Sequence, residues 1–557
     1  MTSPYEKRPW LSLYSMGVPH DLPLPTISAI GQFRDTAQRV PDSPAIYYFD
    51  TIISFGKVDQ LSNNLAVALQ ALGVKKGDRV ALYLQNVPQF WVAQLAVWKI
   101  GAIVVPQNPM YKVTELQYNL NDSGASVLIA LESLYETVAK NIVKQTKVNH
   151  VITTSEIDFF HNDERPALFS ASQKQRYDDT LDLLELCERY NYAPDPDVPV
   201  QPEDIAYLTY TSGTTGPPKG AINTHANVAF NAEVYRTWVK LGPGDVVIGA
   251  APLFHITGMI AHLAVAALAG VPVILAYRFD AAEILRLIEC WKGSFTVASI
   301  TAYIALMNHP DIHKRDLSSF RKAYSGGAPI PPAITEQFKA TAGVYIHNVY
   351  GLTETNSPSH AVPFGADAPV DAESGALSVG VPIPNSIIKI ADLDTGEDLP
   401  VGQVGEIVTK GPMVVPGYWQ KPDETANAIR EGWLYTGDVG RMDENGWFYL
   451  VDRKKDMIVA SGFKVWPREV EDVLYQHEAV KEASVVGVPD PYRGETVKAF
   501  IALKDGFEGK VDPKILIDFC KDRLATYKSP RDIEFIQEVP KTATGKFLRR
   551  DLRERSK

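Results

Sequence analysis

Cysteine is scarce in this chain of 557 residues: Cys187, Cys290 and Cys520 are widely spaced and form no CxxC pair. Disulfide frameworks and structural zinc sites both need paired or clustered thiols, so neither is expected. An excess of basic residues is also missing. Lys and Arg number 55 against 66 Asp and Glu, a formal net charge of −11. A general nucleic-acid binder needs a basic footprint, which excludes that class. A local basic pocket for a phosphorylated ligand stays open. The opening "MTSPYEKRPWLSLYSMG" lacks the basic-then-apolar layout of a signal peptide. One apolar stretch, Ile260 to Tyr277, approaches bilayer length, but it holds His262 and is broken at Gly270-Val271-Pro272. It reads as a buried helix, a turn and a buried strand from Val273 to Tyr277, not as a membrane span. No fixed-period repeat is visible. The expected setting is reducing and cytoplasmic.

What is present is ordinary globular composition, 45% hydrophobic and 22% charged, in a chain too long for one compact core. "RVALYLQNVPQFWVAQLAVWKIGAIVVPQNP" shows the building unit. An apolar run at Val80–Leu84 leads to Asn86 as a helix cap and Pro88 in the first turn; Gly101 ends the helix before a second apolar run. That is a βαβ unit, and it implies parallel strands covered by helices. After about residue 375 the pattern becomes short β-runs with Gly, Pro and Asn turns, which predicts a small antiparallel barrel or sheet. Beyond "VDRKKDMIVASG" helix and strand signals alternate over roughly a hundred residues, a normal size for a small α+β domain. Taken alone, "RKKD" is a solvated turn.

"YTSGTTGPPKG", Tyr210 to Gly220, concentrates hydroxyls, glycines and one lysine between two apolar runs. Thr211, Ser212, Thr214 and Thr215 supply donors. Gly213 and Gly216 permit positive φ, so backbone N–H groups can converge on an anion, and Lys219 adds a full charge. The preceding "IAYLTYT" is a β-run, so the loop leaves the end of a strand, where ligands sit in open α/β sheets. A polyphosphate fits this chemistry. The spacing is not that of a Walker A loop.

The same loop resembles the signature of the adenylate-forming superfamily: acyl-CoA synthetases, nonribosomal-peptide adenylation domains and luciferases. Further segments match in the family's order: "YGLTET" (350–355), "GYWQKPDET" (417–425), "YTGDVG" (435–440), "DRKKDMIVASGFKVWPREVE" (452–471) and "PKTATGK" (540–546). The resemblance implies an α/β fold: a large N-terminal domain of α/β layers over residues 1–454, with a small β-barrel-like subdomain, and a small mobile α+β C-terminal domain over 455–557. It also implies ATP, Mg²⁺ and coenzyme A as ligands.

By that resemblance the 210–220 loop closes over the β- and γ-phosphates of ATP. Glu354 holds Mg²⁺ with Thr211 nearby. Tyr350 stacks on adenine, and Gly351 and Thr353 of the same motif belong to the cofactor-binding set. Gly326, Gly327 and Ala328 of "SGGAP" pass the adenine edge. Asp438 accepts from both ribose hydroxyls, and Arg453 adds a ribose or phosphate contact. Lys455 aligns with the hinge. Lys546 is the catalytic lysine that bridges substrate carboxylate and α-phosphate. Gly462 lets pantetheine approach.

"APLFHITGM" follows the family's acyl-site segment and carries no aspartate to pair an amino-acid ammonium, whose unpaired burial would be costly. Amino acids are therefore excluded. His255 and Gly258 are expected at the carboxylate end and mouth of an apolar pocket. Asn348, where many relatives carry Gln-Gly or Glu-Gly before the tyrosine, is expected near the same pocket. The "RKKDMI…SGF" run is most similar to medium- and long-chain fatty-acid–CoA ligases. The reading is therefore ATP-dependent conversion of a hydrophobic acid to its CoA thioester. The alternatives are an aromatic-acid (coumarate- or benzoate-like) CoA ligase and a carrier-protein-loading adenylase. No nucleic-acid partner and no integral membrane segment are expected; loose membrane association and either a monomer or a homodimer fit the sequence.

Overall fold

A computed structural model describes residues 3–160, 165–211, 217–372, 374–460, 463–490, 493–542 and 547–556. The βαβ unit forms as the pattern predicts: strand Arg79–Tyr83, helix Pro88–Lys99 and strand Ile103–Pro106, with the two strands parallel. They lie in a seven-stranded sheet whose order runs 181–182, 150–154, 127–131, 79–83, 103–106, 205–210, 220–224. All neighbours are parallel except the last pair, Ile205–Tyr210 against Gly220–Thr224. A nine-stranded sheet holds 346–350, 322–325, 295–298, 247–248, 273–275 and 44–48 as parallel neighbours, extended at both edges by antiparallel strands.

Helices Ala29–Arg39, Phe55–Ala71, Pro88–Lys99 and His225–Trp238 contribute to one apolar core that includes residues of both sheets, from Ile46 and Phe295 on one to Val80 and Val104 on the other. The continuous apolar character of Val80–Leu84 follows: a strand covered on both faces has no polar side. Separate clusters cover the outer faces. The 260–277 stretch is a π-helix at Gly258–Ala264, a helix at Val265–Ala269, Gly270 at φ 67°, and strand Val273–Leu275. The strand stops two residues short of expectation because Tyr277 turns to φ 60°. Among the described residues, no helix is long and apolar enough to cross a membrane.

Strands 387–391, 405–410, 429–430, 433–442 and 448–453 form the antiparallel sheet expected after residue 375. The C-terminal unit has its own core, from Ile458 to Ile533, around helices Pro467–Leu474 and Pro513–Lys521. "RKKD" is no plain solvated turn: Asp456 is buried and takes hydrogen bonds from Arg549 and Arg553.

One sequence assignment is corrected. Asn86 does not cap the helix, whose N-cap is Val87. Instead the buried Asn86 side chain donates to the carbonyls of Gly249 and Ala251 and accepts from the Leu253 amide at 2.9 Å. It thereby ties the two sheets together at the start of the 251–258 segment. A fully hydrogen-bonded amide is the form in which such a polar side chain is tolerated inside.

Candidate active site

The C-terminal ends of both sheets, the small antiparallel sheet and the start of the C-terminal unit enclose one cavity of about 740 Å³. Ligands are expected at this end of open α/β sheets. Its lining includes Thr211, Lys219, His255, Gly326, Gly327, Gly351, Thr353, Glu354, Asp438, Arg453 and Lys455, all singled out from the sequence. Thr542, from the same motif as Lys546, also lines it. Ser212, Gly213, Thr214, Thr215, Gly216, Gly462 and Lys546 lie outside the described residues.

The 210–220 loop is closed at its base. Strands 205–210 and 220–224 pair antiparallel, and the Thr211 amide donates to the Lys219 carbonyl at 3.0 Å. Tyr118 donates to the Pro218 carbonyl at 3.0 Å and Tyr210 to Asp122 at 2.8 Å, so the helix 113–123 grips both stems. Lys219 pairs with Glu424 at 2.5 Å. Glu354 accepts from the Tyr418 hydroxyl through Oε1 at 2.7 Å, and Oε2 has no hydrogen-bond partner among the described residues. Burial and then the Glu354 charge hold the Tyr418 phenol above its ordinary range, so it stays a donor.

Asp438 is buried at 3% exposure. Its Oδ2 accepts from the Tyr350 hydroxyl at 2.7 Å and its Oδ1 faces Arg453 Nε at 3.2 Å. The strand register sets this, because Asp438 lies directly opposite Arg453. Tyr350 is not in the cavity lining; its phenol, raised by burial and by Asp438, stays protonated and steadies that carboxylate. Lys455 follows on the short turn 454–456. Its ammonium is lowered to about 8 by partial desolvation and then by the Arg453 charge.

The glycines work through close packing. A Cβ on Gly326 would meet the Val349 carbonyl at 2.7 Å, and one on Gly351 would meet the Ser357 carbonyl at 1.5 Å. Ala328 packs at the edge of an outer cluster and does not line the cavity.

The lining also holds an apolar set, Phe254, Ile256, Val297 and Val349, with His255 and Thr257. The Thr257 amide donates to His255 Nδ1 at 3.3 Å. Two residues expected here are placed elsewhere. Gly258 is buried outside the lining, where a Cβ would meet the Pro252 carbonyl at 2.2 Å. It lets the chain turn tightly into the π-helix. Asn348 is buried within strand 346–350, and its side chain donates to the Ser378 carbonyl at 3.0 Å. Close backbone approach and sheet facing are tertiary quantities, which motif position does not reveal. The sequence reading also missed Asn86, Asp122 and Tyr418 as site-forming residues. Tyr418 lay inside a matching motif; Asp122 carried no signal.

A family model described as "AMP-binding enzyme" matches residues 33–419, and one described as "AMP-binding enzyme C-terminal domain" matches 469–546. A long-chain-fatty-acid–CoA ligase of Bacillus subtilis (strain 168) is 40% identical over 98% of both chains. A long-chain-fatty-acid–CoA ligase of Salmonella typhimurium is 37% identical over 99% of both. Among solved structures, an anthranilate CoA ligase in complex with anthranoyl-AMP has a TM-score of 0.83 at 28% identity, covering 96% of this chain and 98% of its own.

Proposed function

The chain belongs to the AMP-binding enzyme family, within the adenylate-forming superfamily, and from that premise we propose that it joins long-chain fatty acids to coenzyme A. It is an AMP-forming acid–CoA ligase, with ATP and CoA as its other substrates. The observation that carries the substrate class is a cavity whose lining combines the apolar Phe254, Ile256, Val297 and Val349 with Asp438, Glu354 and Lys219. One acid can thus meet one nucleotide with its tail in an apolar setting.

In the first step an oxygen of the substrate carboxylate would attack the α-phosphorus of ATP. The bond to the bridging oxygen breaks, and pyrophosphate leaves. Asp438, held by Tyr350 and Arg453, would accept from the ribose hydroxyls and fix the nucleoside. Lys219 and the loop hydroxyls would stabilise charge that builds on the departing pyrophosphate. Lys546 would neutralise and align the two anions that must meet. Glu354 Oε2 and the Thr211 hydroxyl are hard oxygen donors and fit a small dication. Mg²⁺ held there would screen the phosphate charge. In the second step the CoA sulfur bonds to the acyl carbon, its proton leaves to water, and AMP departs. The C-terminal domain, from residue 455, would turn about Lys455 between steps, bringing the 458–466 segment with Gly462 to the site. Loose membrane association would suit a lipid substrate; a cytoplasmic setting belongs to the same proposal.

An anthranilate-acting structural neighbour keeps aromatic acids as the second reading. The test is AMP and pyrophosphate release with Mg-ATP and acetate, octanoate, palmitate, benzoate or coumarate, each with and without CoA. Release with palmitate, and a thioester that requires CoA, is the expected result. Turnover with the aromatic acids alone would reverse the substrate assignment. Pyrophosphate without thioester would point to carrier loading.

A further inference from the structure

The segment 417–425 enters the sequence reading only as a matching motif, yet it forms an arm laid across the base of the nucleotide loop. The Ile222 amide donates to the Gly417 carbonyl at 2.9 Å and the Trp419 amide to Gly220 at 2.8 Å. The Tyr418 amide donates to Thr425 Oγ1 at 2.9 Å. Tyr418 is therefore fixed from its backbone outward.

Its side chain joins two functional groups. The hydroxyl occupies Glu354 Oε1 at 2.7 Å, and the ring carries the Lys219 ammonium 5.1 Å from its centroid. Lys219 is neutralised by Glu424, a pair open to solvent with 25% and 48% of the two side chains exposed. A line of contacts thus runs Glu424, Lys219, Tyr418, Glu354.

We propose that Tyr418 is a positioning residue for the triphosphate site, and that Glu424 is the resident counter-ion of Lys219 which nucleotide phosphates displace. This rests on the reading above that Lys219 and Glu354 face Mg-ATP. A neutral donor on Oε1 leaves the Glu354 charge intact and fixes the carboxylate, as partners behind a ligating carboxylate do. The aromatic face holds Lys219 near the phosphate path by cation–π attraction. The exposed pair with Glu424 is weak enough to exchange.

The test is calorimetric binding of ATP to the full chain without acid or CoA, in excess Mg²⁺ and in EDTA. Tyr418→Phe keeps the ring and removes only the hydroxyl. It is expected to weaken Mg-ATP binding about five- to tenfold and metal-free ATP less than twofold, with KM for the acid unchanged. Unchanged Mg-ATP binding, or equal losses in both media, would overturn the role of Tyr418. Glu424→Gln is exposed and tolerant of change. It is expected to tighten ATP binding about two- to fivefold in both media. Unchanged or weaker binding would overturn the counter-ion role. Wild-type protein that binds neither form would remove the functional reading itself, a result distinct from wild-type binding with unaltered variants.

Discussion

The two walls of the cavity are built by opposite means. Among the charged groups of the lining, three have named partners: Tyr350 and Arg453 on Asp438, Tyr418 on Glu354, Glu424 on Lys219. On the acyl side Phe254, Ile256, Val297 and Val349 offer only shape. Ionic partners act at fixed distances and tolerate few replacements, whereas apolar contact is non-directional and many side chains supply it. One wall should therefore fail sharply under substitution, and the other should be retuned.

Asp438→Ala should give the largest effect. Loss of the two ribose hydrogen bonds proposed for Asp438 should lower kcat/KM for ATP by about 100-fold, with KM for the acid within about twofold. Steady-state kinetics in each substrate checks this. Equal losses for ATP and acid would dissolve the distinction between the walls. Asn86→Ala removes the anchor of the 251–258 segment. Its expected effect is on the acyl side: about a tenfold rise in KM for the acid and a melting temperature lower by several degrees. Val297→Phe narrows that wall, and should shift preference toward shorter acids by about tenfold in the ratio of kcat/KM values, with KM for ATP unchanged.

Glu132, away from both walls, provides the smallest effect and a control. Burial pushes its carboxyl up to about 7 from an ordinary 4.5. Between those values the folded chain keeps a proton that the unfolded chain releases. The stability from this group is full below 4.5 and lost as pH rises through about 7. Glu132→Gln should raise the melting temperature by about 2 °C at pH 8 and leave it unchanged at pH 5. Differential scanning calorimetry checks it, and neither KM should move.

The same contrast explains what could be read from the sequence. Thr211, Lys219, Glu354, Asp438 and Arg453 carry chemistry in their side-chain type, and all line the cavity. Parallel βαβ layering was legible because apolar runs bounded by Pro88 and Gly101 leave few alternatives. Gly258 and Asn348 were misplaced because their neighbours, Pro252 and Ser378, are set by packing across elements. Asn86 was read as a local cap because its true partners, Gly249, Ala251 and Leu253, are distant in sequence. Acyl length was not legible for a related reason: Phe254 and Val297 define a shape only once the strands and the π-helix are assembled.

The central claim is that an apolar wall selects an aliphatic tail while the ionic wall holds ATP. The most direct test is competition: equimolar palmitate and benzoate with saturating Mg-ATP and CoA, thioesters counted by mass spectrometry at early times. The product ratio gives the ratio of kcat/KM values. The account predicts palmitoyl-CoA in large excess. Predominant benzoyl-CoA, or no thioester from either acid, would contradict it.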